Sequence, residues 1–484
     1  MPNFGENPHN SQKEKDAEMN RKNSLLSEKE QKRLKSEARE MRRLVKEKAK
    51  PKGKYYLWYL VFFLCLVYIV DEVATGIHNG IVDEAIANFF TGNISSGQSK
   101  FSLMEMLANV FLVIGFFYKA LADRYGRKPF LIFNTIGMVG GLLLCLWSPN
   151  LVTYIIGFCV IRFFVTPDEQ IVYIFESAPK EKRASIYSAI KGISELGLLL
   201  IPLGRKLFID DSNIGWRYVF LIPACIGVVV SFCLLFFARE TDPYIESRMA
   251  YLKLTPEERE KIALEKKDES KKQGGFFAAV KYSVKGKQLR WIFIVTLLFT
   301  LSRAITSYYT TIMETFSYSN LELTNALWMY PITAALVVFI YGFISDKFGR
   351  KKTSIFLLSL CIVSLSLFVI GAWQGWNEWA IGLLIGVFLG SYWSNGDTLI
   401  LMTGESAPTN LRASVMSAQT MFYGIGMVAS QGIGSLVLHF ISDSYMGLFA
   451  ICLAIPCFVL SLFLLMTKVK ETKGASVDQA VRQD

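Results

Sequence analysis

Nine ionisable residues stand out inside long apolar stretches of this 484-residue chain: Asp71, Glu72, Arg162, Asp168, Glu169, Lys191, Glu195, Arg303 and Asp397. A charge placed in a hydrocarbon layer is costly, so each needs a partner, a water-filled cavity or a chemical task. Two kinds of chemistry are on offer. A partly desolvated carboxylate beside a switching cation can load and release a proton. Asp71 is the foremost candidate for this, with Glu72, Asp168, Glu169 and Asp397 behind it. A guanidinium fork suits a carboxylate or phosphate, so Arg162 and Arg303, joined by Lys191, invite an anionic solute. The acidic residues are numerous enough to neutralise these cations in structural pairs, and both readings stay open. Lys191 and Glu195, four apart, can pair on one helix. Glu195, Tyr308, Tyr309, Trp393 and Asn395 complete the candidate solute contacts.

Other chemistries find little support. The chain has no GxxxxGK[ST] phosphate loop, and no His-backed nucleophile or metal cluster is visible, so neither an enzyme nor a bound cofactor or metal is expected. His9, His78 and His439 have no metal-ligand spacing to one another, and the eight cysteines all lie in apolar runs without a CxxC, as packing residues do. The net charge of +11 reflects basic loops and a basic tail rather than a nucleic-acid surface.

The elements that must position these residues are twelve apolar runs, near 56–77, 102–121, 129–148, 151–175, 186–207, 217–238, 290–312, 323–344, 353–373, 378–403, 414–439 and 446–467. They predict an all-α polytopic membrane protein of twelve transmembrane helices. The charges fall in spans one, four, five, seven and ten, while three, six, nine and twelve have uncharged interiors. The former should face water or each other, and the latter lipid. Asp168 and Asp397 each lie eight residues before a glutamate, Glu176 and Glu405.

That spacing belongs to an internal repeat. Asp123-Arg124-Tyr125-Gly126-Arg127-Lys128 returns as Asp346-Lys347-Phe348-Gly349-Arg350-Lys351. Glu176-Ser177-Ala178-Pro179 with Arg183 returns as Glu405-Ser406-Ala407-Pro408 with Arg412. Arg239-Glu240-Thr241 after span six is echoed by Lys470-Glu471-Thr472 after span twelve. Matched landmarks predict two six-helix bundles, 55–239 and 290–470, around a central cavity. A basic N-terminal tail (1–54), a central loop (240–289) and a C-terminal tail (471–484) flank and join them. Basic residues concentrate in the tails and in the loops that follow even-numbered spans, which places both termini in the cytoplasm. Residues 26–50 could form a charged helix near anionic lipid headgroups or remain a solvated tail.

At these motifs the chain resembles the major facilitator superfamily, whose loop motif is Gly-x-Leu-Ala-Asp-Arg-x-Gly-Arg-Lys. The Glu-x-x-Pro-x-x-x-Arg pattern and the Tyr308-Tyr309 pair are similar to those of its sugar porter and metabolite–proton symporter branches. The resemblance implies that spans one, four, seven and ten line the cavity. It also implies that Asp123, Arg124, Gly126, Arg127, Glu176 and Arg183, with Asp346, Gly349, Arg350, Glu405 and Arg412, form gating networks. The favoured reading is a monomer in a bacterial plasma membrane that moves a small polar solute, sugar-like or carboxylate, by alternating access with protons. The alternatives are a multidrug or organic-cation exporter, an uncoupled facilitator and a non-transporting sensor.

Overall fold

The computed structural model describes residues 28–50, 55–90, 94–119, 126–165, 173, 176, 183–209, 214–262, 275–407, 412–440 and 450–472, and every regular element among them is helical. Each expected span carries a helix. In the first half these are Tyr56–Gly76 continued by the 3-10 turn Ile77–Gly80, Ile94–Lys119, Arg127–Leu146, Leu151–Val165, Arg183–Glu195 running on to Phe208, and Leu221–Phe237. In the second half they are Lys287–Leu301 with its broken continuation Arg303–Ser307 and Tyr309–Thr315, then Asn320–Phe348, Arg350–Trp373, Glu378–Ser406, Arg412–Phe440 and Ile455–Lys468. Among the described residues, five helices (56–80, 127–146, 215–237, 320–348 and 350–373) are long and apolar enough by composition alone to cross a bilayer.

Spans three, six, nine and twelve turn large apolar side chains outward, among them Phe133, Phe232, Phe236, Val363 and Phe463. With no water to drive burial there, this surface is at rest against acyl chains. Exposed Tyr55 and Trp58 at one end, and Trp147, Trp373 and Trp379 at the other, stand where amphipathic rings favour a membrane interface. Inside the second half, Gly382, Gly386 and Gly390 of span ten lie against Ala326, Thr333 and Ala334 of span eight, a stripe of small residues that lets the two backbones approach. Spans two and eleven, and spans five and eight, form the two seams between the halves.

The repeated landmarks converge at the end of the molecule that carries most of the basic residues. Gly126 and Gly349 adopt φ 107° and 98° with extended ψ, a region open essentially to glycine alone. Each turn starts a helix whose first N–H groups have no partner within the helix. The Glu240 carboxylate accepts from Arg127 N (3.0 Å) and Lys128 N (3.3 Å), and Glu471 accepts from Arg350 N (2.8 Å) and Lys351 N (3.2 Å). The residues after spans six and twelve therefore cap spans three and nine. Burial pushes the Glu240 carboxyl up from its ordinary range, against the pull of these donors. The next residue of each landmark completes a second contact. Thr241 donates to Glu176, which also pairs with Arg127 (3.1 Å). Thr472 donates to Glu405 (2.7 Å), which pairs with Arg350 (3.2 Å).

The tail forms a helix, Glu28–Lys48, and it docks on the segment that follows span six. Leu44 is buried with Tyr244 and Ile245 of helix Asp242–Lys253. Around this apolar spot, Arg248 grips Glu40 with two bonds (2.7 and 3.1 Å), Arg259 grips Glu37 (2.9 and 3.0 Å), and Lys48 meets Glu246 (2.9 Å). The sequence left a helix and a solvated tail both open here; the structure forms the helix and gives it a partner.

A Cβ at Gly126 or Gly349 would lie 2.4 Å from the capping carboxylate. Gly349→Ala is expected to destabilise the protein by about 1–3 kcal/mol, since the backbone and the cap are both disturbed, and a thermal-unfolding midpoint in detergent measures this. Arg248→Glu is expected to raise hydrogen exchange across 28–48 by up to about fivefold, the scale of a partly exposed ion pair. The charge-swapped pair with Glu40→Arg should restore protection.

Candidate functional site

A cavity of about 320 Å³ lies between the halves. Its wall is drawn from spans one, four and five of the first half and seven, eight, ten and eleven of the second. Among the described residues, spans three, six, nine and twelve contribute nothing to it, as their uncharged interiors implied. Span one supplies Asp71 and Glu72, then Thr75, Gly76 and Asn79 further along. Span four supplies Arg162 and Val165, span five Lys191, Glu195 and Leu198. The break in span seven after Leu301 turns Arg303, Thr306 and Tyr309 into the space, and span eight adds Tyr330. Span ten brings Trp393 and Asp397, and span eleven Gln419, Thr420 and Tyr423.

The cationic groups are already engaged. Lys191 Nζ lies 2.7 Å from Asp397 Oδ2, an ion pair that crosses from one half to the other, and the Tyr341 hydroxyl donates to the same oxygen (3.3 Å). The Arg303 guanidinium lies 4.2 Å from the Trp393 ring centroid, and that of Arg162 lies 4.9 Å from the Phe158 ring. Aromatic faces attract guanidinium groups, most strongly where water is thin.

At the end of the cavity away from the tail helix, the halves are joined by polar contacts. Thr311 donates to Asp83 (2.9 Å), Thr310 to the Asn79 carbonyl (3.3 Å), and Asn79 to the Thr306 carbonyl (3.5 Å). Arg205, almost fully buried, binds Glu84 (2.6 Å) and the Gly80 carbonyl (2.5 Å) within its own half, and donates across the seam to Thr324 (3.3 Å). The bonds between neutral groups are each worth about 0.5–1.5 kcal/mol net, and those made by Asp83 and Arg205 about 1.5–3 kcal/mol. The closure is thus specific in geometry and modest in energy.

The sequence-predicted residues sort as follows. Asp71, Glu72, Arg162, Lys191, Glu195, Arg303, Tyr309, Trp393 and Asp397 share the cavity wall. Tyr308 and Asn395 do not belong to that wall: Tyr308 is fully buried, and Asn395 accepts a hydrogen bond from Ser354 of span nine (2.6 Å). Neighbouring helical positions point about 100° apart, so each has yielded the cavity to a nearby residue. Asp168, Glu169, Asp123 and Arg124 lie outside the described residues, and the side chains of Arg183 and Arg412 are likewise outside them. Glu176 and Glu405 meet the arginines of the glycine turns, Arg127 and Arg350, and Arg350 also binds Asp346 (2.8 Å). Sequence reading passed over Asn79, Thr306 and Gln419, ordinary polar residues without a motif. It also missed Glu105 of span two and Arg205 of span five, although a lone carboxylate in Phe-Ser-Leu-Met-Glu-Met-Leu-Ala was a usable signal.

Comparison with known proteins agrees with this architecture. The description of the Major Facilitator Superfamily matches residues 64–431, and again 292–482. The chain is 26% identical to the glucose transporter GlcP of Staphylococcus epidermidis over 382 residues, 74% of this chain and 82% of that one. It is 24% identical to the proton myo-inositol cotransporter hmit-1.2 of Caenorhabditis elegans over 333 residues, 61% of this chain and 53% of that one. Among solved structures, a D-xylose-proton symporter superposes with a TM-score of 0.67 at 16% identity, covering 87% of this chain and all of that one, which shows a shared fold. Two six-helix bundles are what this match leads one to expect. The chain belongs to the major facilitator superfamily and is an integral, multi-pass membrane transporter rather than an enzyme.

Proposed function

We propose that the protein is a proton-coupled symporter of a neutral polyhydroxylated solute, a sugar or polyol, with both termini in the cytoplasm. The observation that carries the reading is the cavity wall itself. It sets the carboxylate Asp71 and the guanidinium Arg162 in one space with neutral hydrogen-bonding groups of Asn79, Thr306, Gln419 and Thr420 and the aromatic Trp393 and Tyr309. Hydroxyl-rich solutes are held by such amides and hydroxyls, with an aromatic face against the C–H side of the ring. The cations that would favour an anionic solute already have partners: Lys191 has Asp397, and Arg303 has the Trp393 ring. The named substrates of the relatives, glucose and myo-inositol, support the same class.

Coupling follows from what Asp71 faces. An acid near Arg162 in a cavity that opens to one side and then the other meets different water and different counter-charge in each state. With the far end closed, solute and proton leave toward the tail-helix end. Opening the far end requires the Thr311–Asp83, Thr310–Asn79 and Arg205–Thr324 bonds to part.

The test is uptake from a mixed pool of sugars, polyols and carboxylates into proteoliposomes, with and without an inward proton gradient. Wild type is expected to concentrate a sugar or polyol only with the gradient, while Asp71→Asn equilibrates the same solute without concentrating it. Gradient-independent equilibration by both proteins would make the chain a facilitator, and selective uptake of a carboxylate would overturn the substrate class. Gln419→Ala is expected to weaken apparent affinity for the sugar roughly tenfold, the loss of about one buried hydrogen bond, read as a raised KM with kcat little changed.

A further inference from the structure

Beside the cavity, in the outer part of the seam between spans two and eleven, sits a second ionisable group that no motif announced. Glu105 of span two is 2% exposed, and neither carboxylate oxygen meets a donor at bonding geometry among the described residues. His78, 1% exposed at the end of span one, turns Nε2 toward it at 3.9 Å, and that nitrogen too lacks a hydrogen-bond partner there. The imidazole has little freedom. Its ring stacks between Phe101 (centroids 4.7 Å, 7°) and Phe158 (3.9 Å, 21°), and Nδ1 shares a 2.7 Å hydrogen bond with the Tyr154 hydroxyl. When Tyr154 donates to Nδ1, the neutral ring carries its proton on Nε2, facing the carboxylate.

The surroundings of Glu105 come from both halves. Arg162 of span four acts on it from its own half, and Arg303 and Ser307 of span seven and Gln431 of span eleven from the other. Ser307 and Gln431 are themselves hydrogen-bonded (3.3 Å). Asn109, one turn along span two, is buried as well, with its carbonyl oxygen unpartnered. Asp71 lies in the same field through Arg162. A carboxylate buried this deeply in a membrane span, with no hydrogen bond at close geometry among the described residues, has one inexpensive remedy, which is to bind a proton. The groups that decide how firmly it does so straddle the seam.

We propose that Glu105, braced by His78, is a proton-binding site of the transport cycle, separate from Asp71 and coupled to the outer closure through Arg303, Ser307 and Gln431. Opening the far end draws these three groups of the second half away from the carboxylate. Its proton affinity therefore differs between the two states of the transporter. The step is a simple transfer: a proton from water joins a Glu105 carboxylate oxygen in one state and returns to water from it in the other. This deepens the symport reading given above and rests on it for its role in transport, while occupancy of the site by a proton stands by itself.

The two parts are tested separately. Infrared difference spectra of the purified full-length protein in lipid nanodiscs, between acid and alkaline buffer, report protonated carboxyl groups directly. A C=O band that Glu105→Gln removes, and that Asp71→Asn and Glu72→Gln leave in place, supports the site; His78→Phe should move its midpoint by about one pH unit. If Glu105→Gln leaves every band unchanged, the site is overturned, and an unmoved midpoint in His78→Phe removes His78 from it. Should Glu105→Gln fail to fold, Glu105→Asp replaces it and must shift the band. In proteoliposomes with D-glucose or D-xylose as probe, Glu105→Gln is expected to keep solute exchange and lose gradient-driven accumulation. Normal accumulation by this variant overturns its role in coupling. A wild type that concentrates neither sugar nor any other solute overturns symport, while the infrared band still decides the proton site.

Discussion

The cost of holding a charge in hydrocarbon organises this molecule. Asp71, Glu72, Glu105, Arg162, Lys191, Glu195, Arg303 and Asp397 all lie where two halves meet or around the space between them, and the large exposed side chains of spans three, six, nine and twelve are apolar. One constraint thereby produces three features: a polar interior, a seam that is partly polar, and an outer ring of helices whose described residues lie away from the cavity wall. Function inherits the result. In the proposed symport, the groups that would exchange protons or hold a hydroxylated solute are collected by the same requirement that keeps them out of the acyl chains.

The contacts within each half differ in kind from those between halves. Inside a half, small-residue stripes such as Gly382-Gly386-Gly390 draw backbones together, and the glycine-turn caps and arginine–glutamate–threonine links close the basic end. Across the seam near the far end stand a few side-chain hydrogen bonds, two of them made by Asp83 and Arg205, and nearer the tail helix the Lys191–Asp397 pair. Hydrogen bonds of that sort exchange readily for water, so the two halves can remain rigid while their mutual geometry changes.

Much of this was legible in the sequence, and the limits have physical causes. The twelve runs and the repeat could be read because both are periodic along the chain. That Asp71, Arg162, Arg303 and Asp397 would share a space followed from the cost of leaving them elsewhere. What could not be read was direction around a helix axis: Tyr308 and Tyr309, or Asn395 and Asp397, differ by a rotation that only packing fixes. Partners distant in sequence were equally hidden. Glu176 holds Arg127, 49 residues away. Arg205 is a buried tie between Glu84, Gly80 and Thr324, partners that no motif announces. Glu105 was overlooked because span two was judged by its total apolar character, which one carboxylate hardly alters.

The paired caps bear on how the chain is made. The Gly126 turn opens span three, but the carboxylate that satisfies its N–H groups is Glu240, which leaves the ribosome more than a hundred residues later. The same delay separates Gly349 from Glu471. Until the sixth helix of a half has been synthesised, the start of its third helix keeps open donors, and completion of the half is signalled by a single glutamate. Each half is thus a unit of biogenesis that closes on its own last residues, the first without waiting for the second.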